Sequence, residues 1–222
     1  MFDSIAHRYD FLNRLLSAGI DVRWRKKAIA YLKPIQPKRI LDVATGTADV
    51  ALMMEPLLKP EEIIGIDISD GMLALGREKI KARQLDRVIT LLNGDSETIN
   101  YPDHSFDAVT VAFGVRNFQD LERGLSEIFR VLKPGGRLVV LEFSQPKGWF
   151  IQPLYQVYMN YITPVLGKLF SKNRNAYSYL DESIRKFPEG QAFADVLQKL
   201  GYRNLIVKPL SLGICSIYCG DK

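Results

Sequence analysis

The sequence predicts an α/β protein built on a doubly wound, mostly parallel sheet of seven strands that closes with a C-terminal antiparallel hairpin. Three features carry that prediction. Between residues 38 and 144, short apolar runs alternate with amphipathic stretches, a rhythm that gives right-handed crossovers and parallel pairing. The turn after the first run is made of small residues, Ala44-Thr-Gly-Thr-Ala48, so the backbone can bend sharply and approach a ligand. Two runs near the C-terminus, 203–208 and 212–219, are joined by only a short connection. A link that short makes a hairpin, and the reversed strand is expected at the sheet edge.

Each element follows in order. Residues 3–17 and 21–32 read as amphipathic helices, broken at Ala18-Gly19 and ended at Lys33-Pro34, where the residue before proline resists a helical conformation. Next come strand Lys38–Ala44, helix Asp49–Leu58, strand Glu62–Asp67, helix Asp70–Arg83 and strand Arg87–Asn93. Strand Phe106–Phe113, helix Asp120–Leu132 and strand Gly136–Ser144 complete the alternation. Residues 145–190 interrupt it with an aromatic stretch, Trp149–Phe170, bent by Pro153 and Pro164. That stretch falls near the carboxyl edge of the sheet, where open α/β sheets bind ligands. Core packing is its ordinary role; the sharper one is a lid for a greasy substrate. The segments 1–34, 35–144, 145–190 and 191–222, the last a closing helix and the hairpin, are read as one domain.

Composition narrows the class. A chain of 222 residues, 47% hydrophobic and 25% charged, fits one globular domain and excludes disordered, collagen-like and disulfide-stapled proteins. Thirty Lys+Arg against 25 Asp+Glu leave +5, which permits an anionic surface as partner without calling for nucleic acid. No apolar run reaches the ~18–20 residues of a membrane span, and the charged N-terminus lacks the apolar centre of a signal peptide. A cytoplasmic protein is expected. Cys215 and Cys219 lie four residues apart in a strand-like run, about 13 Å at ~3.3 Å per residue, too far for a disulfide. Only His7 and His104 could join them, too few donors for zinc, so no metal is expected.

The small-residue turn selects among cofactors by charge. A dinucleotide places its pyrophosphate on the N-terminus of the following helix. Here Asp49 opens that helix and Asp42 precedes the turn, an arrangement that repels a diphosphate. S-adenosylmethionine has no phosphate and carries an ammonium and a sulfonium, so the same carboxylates attract it. Asp67 ends the second strand twenty-one residues after Gly46, the position of a ribose-binding acid in this architecture. Capping the next helix falls instead to Ser69 or Asp70. At the end of the third strand, Asp95 can accept from an adenine amino group while the Ser96 amide approaches a ring nitrogen.

These segments form an ordered set: Leu41-Asp-Val-Ala-Thr-Gly-Thr-Ala-Asp49, Gly65-Ile-Asp67, Asn93-Gly-Asp-Ser-Glu97, Phe106-Asp-Ala-Val109 and Val131-Leu-Lys-Pro-Gly-Gly136. The set resembles the S-adenosylmethionine-dependent methyltransferases. Met1-Phe-Asp-Ser-Ile-Ala-His-Arg-Tyr-Asp-Phe-Leu-Asn13, Phe113-Gly-Val-Arg-Asn117, Leu141-Glu-Phe-Ser144 and Tyr179-Leu-Asp-Glu-Ser183 bring it closer to the ubiquinone/menaquinone biosynthesis C-methyltransferases. The resemblance spans nearly the whole chain, and Phe-Gly-Val-Arg-Asn is its most diagnostic block. It implies the Rossmann-like methyltransferase fold, with Thr47 at the methionine-side loop, Asp67 at the ribose, Asp95 and Ser96 at the adenine, Ala112 lining the same pocket, and Ala44, Gly46 and Ile68 also among the cofactor-binding residues. The product would be S-adenosylhomocysteine. Ala44 and Ala48 depart from the glycines of the general pattern, though the quinone subgroup tolerates the first change. The family also carries residues ahead of this Met-Phe-Asp start.

A ring carbon accepts a methyl group well only when a neighbouring hydroxyl releases its proton and pushes charge into the ring, so the resemblance implies a reduced quinone as substrate. Demethylmenaquinol leads, followed by the ubiquinone-pathway benzoquinol, another lipid or small molecule, and a non-catalytic cofactor-binding subunit. Arg116 is read as stabilising the developing oxyanion and Asn117 as orienting the ring oxygen; an ion pair with Asp120 or Glu142 is the competing role for Arg116. Tyr9 and Asp10 resemble a first helix folding over the cofactor, and His7 reads as a surface residue. An N-methyltransferase would show a proline pair where this chain has Ala112-Phe-Gly-Val-Arg116. The run Arg23-Trp-Arg-Lys-Lys27 reads as a solvated helix face, with an anionic bilayer as the rival. Expected partners are the prenylated quinol, the inner membrane surface in transient contact, and a second copy as a homodimer, with no nucleic acid.

Overall fold

The computed structural model describes residues 19–146 and 182–222, together with Arg14, Ser17, Gly148, Trp149, Gln152, Pro153 and Val157. Helix α1 (Ile20–Ala30) precedes a sheet whose strands β1 (Arg39–Val43), β2 (Glu62–Asp67), β3 (Ile89–Asn93), β4 (Phe106–Ala112) and β5 (Leu132–Phe143) alternate with helices α2 (Asp49–Leu58), α3 (Asp70–Ala82) and α4 (Leu121–Val131). Helix α5 (Gln191–Lys199) then leads into β6 (Arg203–Leu210) and β7 (Cys215–Asp221). The strand order is β3-β2-β1-β4-β5-β7-β6. Strands β1 to β5 pair in parallel. The chain steps outward from β1 to β3, then returns to β4 on the other side of β1. The carboxyl ends of β1 and β4 thereby meet at a topological switch point, where such sheets open a crevice.

Several boundaries shift from the sequence reading. The reversed strand is β7, antiparallel to both neighbours, and it lies one place in from the edge. The chain lays down β6 outermost and turns back into the gap beside β5. The burial pattern fits that position: β7 is buried along nearly its whole length, whereas β6 is largely exposed. Strand β5 starts at Leu132 because Lys133-Pro-Gly-Gly136 enters it as a bulge, with the register moving from Phe106↔Leu132 to Ala108↔Arg137. Residues Ser211–Gly213 form a 3-10 turn, with Leu212 at φ 60, so β7 begins at Cys215. Helix α1 stops at Ala30, and a second 3-10 turn over Lys33–Ile35 carries Pro34. The expected helix 3–17 and the aromatic stretch 149–170 fall outside the described residues except for the isolated positions named above.

Near-continuous apolar strands need cover on both faces. On one face Ile40 packs with Trp24, Ile29, Leu52 and Leu73 from α1, α2 and α3. On the other, Leu41 and Val43 pack with Leu125, Ile128 and Phe193 from α4 and α5. Ser69 caps α3 by accepting from the Met72 amide, and Asp120 caps α4 by accepting from the Arg123 amide. Cys215 and Cys219 are both buried, and burial pushes their thiols up, Cys219 to about 11.

One glycine sets how closely α3 approaches the crevice. A Cβ on Gly76 would lie 2.6 Å from Leu91 Cδ1 and 3.2 Å from the carbonyl carbon of Thr47. In an exposed helix, Gly→Ala gains about 1 kcal/mol. Gly76→Ala should instead lose about 1–3 kcal/mol through overpacking, read as a lower denaturant midpoint; a higher midpoint would contradict this packing.

Candidate active site

The crevice is shaped by the turn between β1 and α2. Ala44 (φ 55), Gly46 (φ 56) and Ala48 (φ 63) all adopt left-handed backbone, and for the two alanines this costs roughly 1–2 kcal/mol each. Hydrogen bonds hold the strained turn in place. The Gly46 amide donates to Asp67 Oδ2 at 2.8 Å, the Ser69 amide donates to Asp67 Oδ1 at 2.9 Å, and the Thr45 amide donates to the Ile66 carbonyl at 3.0 Å. Asp67 thus clips the turn to the carboxyl end of β2. From the opposite side, the turn after β4 closes in at Gly114, where a Cβ would land 2.5 Å from Ala44 Cβ.

Two more carboxylates sit deeper. Asp42 on β1 is buried and accepts from Thr45 Oγ1 at 2.7 Å and Thr110 Oγ1 at 2.5 Å. Burial nevertheless pushes its carboxyl up to about 6. Asp49, at the start of α2, is not the naked anion the sequence reading expected. It accepts from Arg25 Nη1 at 2.8 Å, Lys79 Nζ at 2.9 Å and Arg14 Nη2 at 3.2 Å. Burial acts to raise its carboxyl, but the Lys79 hydrogen bond and the three cations hold it below the usual range. Charge selection in the crevice therefore rests on Asp42, Asp67, Asp95 and Glu97, which line it together with Asp49. Asp95 accepts from the Glu97 amide at 2.9 Å, and Glu97 from the Asp120 amide at 2.7 Å, which fixes the turn after β3.

The structure brings most of the expected residues together. Ala44, Gly46, Thr47, Asp67, Ile68, Asp95, Ser96, Ala112 and Asn117 line one crevice across the ends of β3, β2, β1 and β4. Ile68 is 69% exposed on it, an aliphatic face suited to a flat ring. The Arg116 guanidinium does not reach the crevice. Its side chain is 6% exposed, and its Nη1 donates to the fully buried Glu142 at 2.6 Å and to the Phe113 carbonyl at 2.7 Å. Arg116 Nε donates to Ser183 Oγ at 3.2 Å, and the Arg116 amide to Glu142 Oε2 at 3.3 Å. The competing role is thus the one the geometry shows, with Glu142 and not Asp120 as partner. Three sequence blocks, around Arg116, Glu142 and Ser183, meet at this buried pair.

Sequence reasoning missed Arg25. In the basic run 23–27, Arg23, Lys26 and Lys27 are exposed, as a solvated helix face requires, but Trp24 and Arg25 are buried. The available signal was spacing: Asp21, Arg25 and Ala28 recur on the apolar face of α1, where an acid and a base four apart can pair. His7, Tyr9 and Asp10 lie outside the described residues.

A family model described as the ubiE/COQ5 methyltransferase family matches residues 1–222. The chain belongs to the ubiE/COQ5 methyltransferase family. Among its relatives, a demethylmenaquinone methyltransferase of Bacteroides fragilis is 47% identical across all of this chain and 91% of that protein. One of Thermus thermophilus is 46% identical across the full length of both. A ubiquinone/menaquinone biosynthesis C-methyltransferase of Geobacter sulfurreducens is 46% identical across all of this chain and 87% of its own length. Solved structures share the fold: a S-adenosylmethionine-dependent methyltransferase of Thermotoga maritima superposes with TM-score 0.68 at 20% identity, covering 100% of this chain and 97% of that one. A Haemonchus contortus phosphoethanolamine N-methyltransferase bound to S-adenosylmethionine gives TM-score 0.62 at 16% identity over 89% of this chain and 52% of that one.

The protein is therefore a S-adenosylmethionine-dependent methyltransferase, and the crevice suits that cofactor. Carboxylates face it at the ends of β2 and β3, which favours a phosphate-free cation over a diphosphate.

Asp42 leads us to expect pH-dependent binding. Above about 6 its carboxyl is ionised, and the charge favours a sulfonium. Affinity for S-adenosylmethionine should fall as pH drops through about 6, and fall less for S-adenosylhomocysteine, whose sulfur is neutral. Stability has the opposite sign: an acid raised by folding contributes stability below its ordinary 3.8 and loses it as pH rises through about 6. Calorimetric titration of both ligands on either side of that pH tests the point, and equal slopes would contradict it.

Proposed function

We propose that this methyltransferase places a methyl group on a ring carbon of a demethylated prenyl quinol, demethylmenaquinol first among such substrates. The observation that carries the reading is the convergence of the small-residue turn, Asp67, Asp95 and Asn117 on one crevice, in a chain that matches its quinone-pathway relatives end to end. When bound, S-adenosylmethionine supplies a methyl group already activated by a positive sulfur.

The chain's residues bind, align and exclude water. Asp67 receives the ribose hydroxyls, Asp95 and the Ser96 amide the adenine edge, and Ile68 the adjoining apolar face. Thr47 lies at the methionine side with Ala44 and Gly46, and Ala112 floors the pocket beside them. Asn117 orients the ring oxygen of the quinol. Arg116 acts one step removed: bound to Glu142, Phe113 and Ser183, it fixes the turn that carries Asn117, so charge on the ring oxygen is met by a rigid amide.

The quinol's isoprenoid tail needs an apolar surface, and 149–170 remains the candidate, with Trp149 87% exposed at its start. Among the described residues no helix is long and apolar enough to cross a membrane, so access to a bilayer substrate would come through transient surface contact.

Methyl incorporation from labelled S-adenosylmethionine into demethylmenaquinone, with and without chemical reduction, tests the reading. Turnover is expected only on the reduced form. Equal turnover on the oxidised ring, or turnover on a phospholipid headgroup instead, would overturn it. Asn117→Ala should lower kcat by about 10²-fold while leaving S-adenosylhomocysteine affinity within about twofold.

A further inference from the structure

Arg25 is unlike every other residue lining the crevice. Asp42, Asp49, Asp67, Asp95 and Glu97 all line it, and Arg25 is the one basic residue among the described residues that does. Its side chain is only 6% exposed. It donates to Asp49 through Nη1 at 2.8 Å, lies 3.5 Å from Asp21 Oδ2, and sits with its guanidinium 5.7 Å from the centre of the Phe113 ring. Buried arginine normally has its donors filled. Here Arg25 Nε and Asp21 Oδ2 have no hydrogen-bond partner. The guanidinium meets Asp49 through one nitrogen and not as a two-pronged fork, which leaves unused capacity to bind a carboxylate.

Its place along the crevice matches one part of the cofactor. The nucleoside end is marked by Asp95 beyond β3 and Asp67 at the end of β2. Arg25 packs against Phe113, just beyond β4, and Asp49, at the N-terminus of α2, so it faces the ends of β1 and β4. The methionine half of S-adenosylmethionine must run toward that end, and it carries a carboxylate that the other lining acids would repel. The local charge allows it: Arg14, Arg25 and Lys79 converge on Asp49, with Asp21 as the second carboxylate of the cluster. Three cations face two anions there. Asp42, held by Thr45 and Thr110, faces the crevice from the sheet and is placed to offset the sulfonium instead. The N-terminal end of α2 adds its partial positive charge.

We propose that Arg25 receives the cofactor's methionine carboxylate, so that α1 supplies the part of the site that reads the amino-acid end. This rests on the cofactor reading above and assigns it a residue from outside the sheet-and-turn core.

Binding of S-adenosylmethionine and of its decarboxylated analogue, measured by calorimetry on wild type and Arg25→Gln, separates the possibilities. Wild type is expected to bind the complete cofactor about ten- to hundredfold more tightly than the analogue. Arg25→Gln should erase that preference by weakening the complete cofactor alone. Equal weakening of both ligands would show that Arg25 only shapes the protein, and no preference in wild type would also overturn the proposal. Arg25→Lys, which keeps a charge facing Asp21 and Asp49, guards against misfolding of the glutamine variant; it should retain part of the preference, and full retention with a single amine would argue against a guanidinium fork. If wild type binds neither ligand, the cofactor reading itself fails.

Discussion

The clasp between the Asp67 carboxylate and the Gly46 amide holds the active site together. Without it, a turn in which Ala44, Gly46 and Ala48 all take left-handed backbone would lose the bond that ties its middle to the end of β2. With it, the end of β1 is tied to the end of β2, the crevice is held open across the sheet, and α2 starts where its first turn can face the ligand. The same carboxylate accepts from Gly46 and Ser69 with one oxygen each and lines the crevice. One side chain therefore shapes the site and belongs to it, and the strain of two alanines is offset where binding occurs.

Around that clasp the charges are sorted by depth. Asp49 is neutralised by three cations, Asp42 is buried and held between two threonines, and Asp67 and Asp95 line the crevice at the ends of β2 and β3. A second buried pair, Arg116 with Glu142, does for the far wall what Asp67 does for the near one. It joins the turn after β4 to the end of β5 and, through Ser183, to the segment that follows the aromatic insertion. A buried ion pair is costly to break from one side, about 3–5 kcal/mol. Its value here is geometric: the wall carrying Asn117 cannot drift.

Much of this was legible in the sequence, for identifiable reasons. The crossover strands are short apolar runs bounded by turn residues, and Asp67 stands out because it ends a strand at the distance from Gly46 at which this architecture places a binding acid. Other features depend on three-dimensional proximity. Chain order does not say that β7 slips between β5 and β6, because a hairpin can pair through either arm. The partner of Arg116 is settled by the pairing of Ala112 with Leu141, which brings Glu142 beside the turn and leaves Asp120 to cap α4. Arg25 was hidden by its neighbours, since a basic run on a helix usually faces water and only the spacing of Asp21, Arg25 and Ala28 shows otherwise.

Asp67→Asn tests the central clasp most directly, because it keeps the shape of the side chain while removing its charge and one of its accepting oxygens. Calorimetric titration with S-adenosylhomocysteine, alongside a thermal melt, should show affinity reduced by about ten- to hundredfold in a protein that still unfolds cooperatively. Unchanged affinity in the folded variant would contradict the account, because the carboxylate would then neither hold the turn nor receive the ribose.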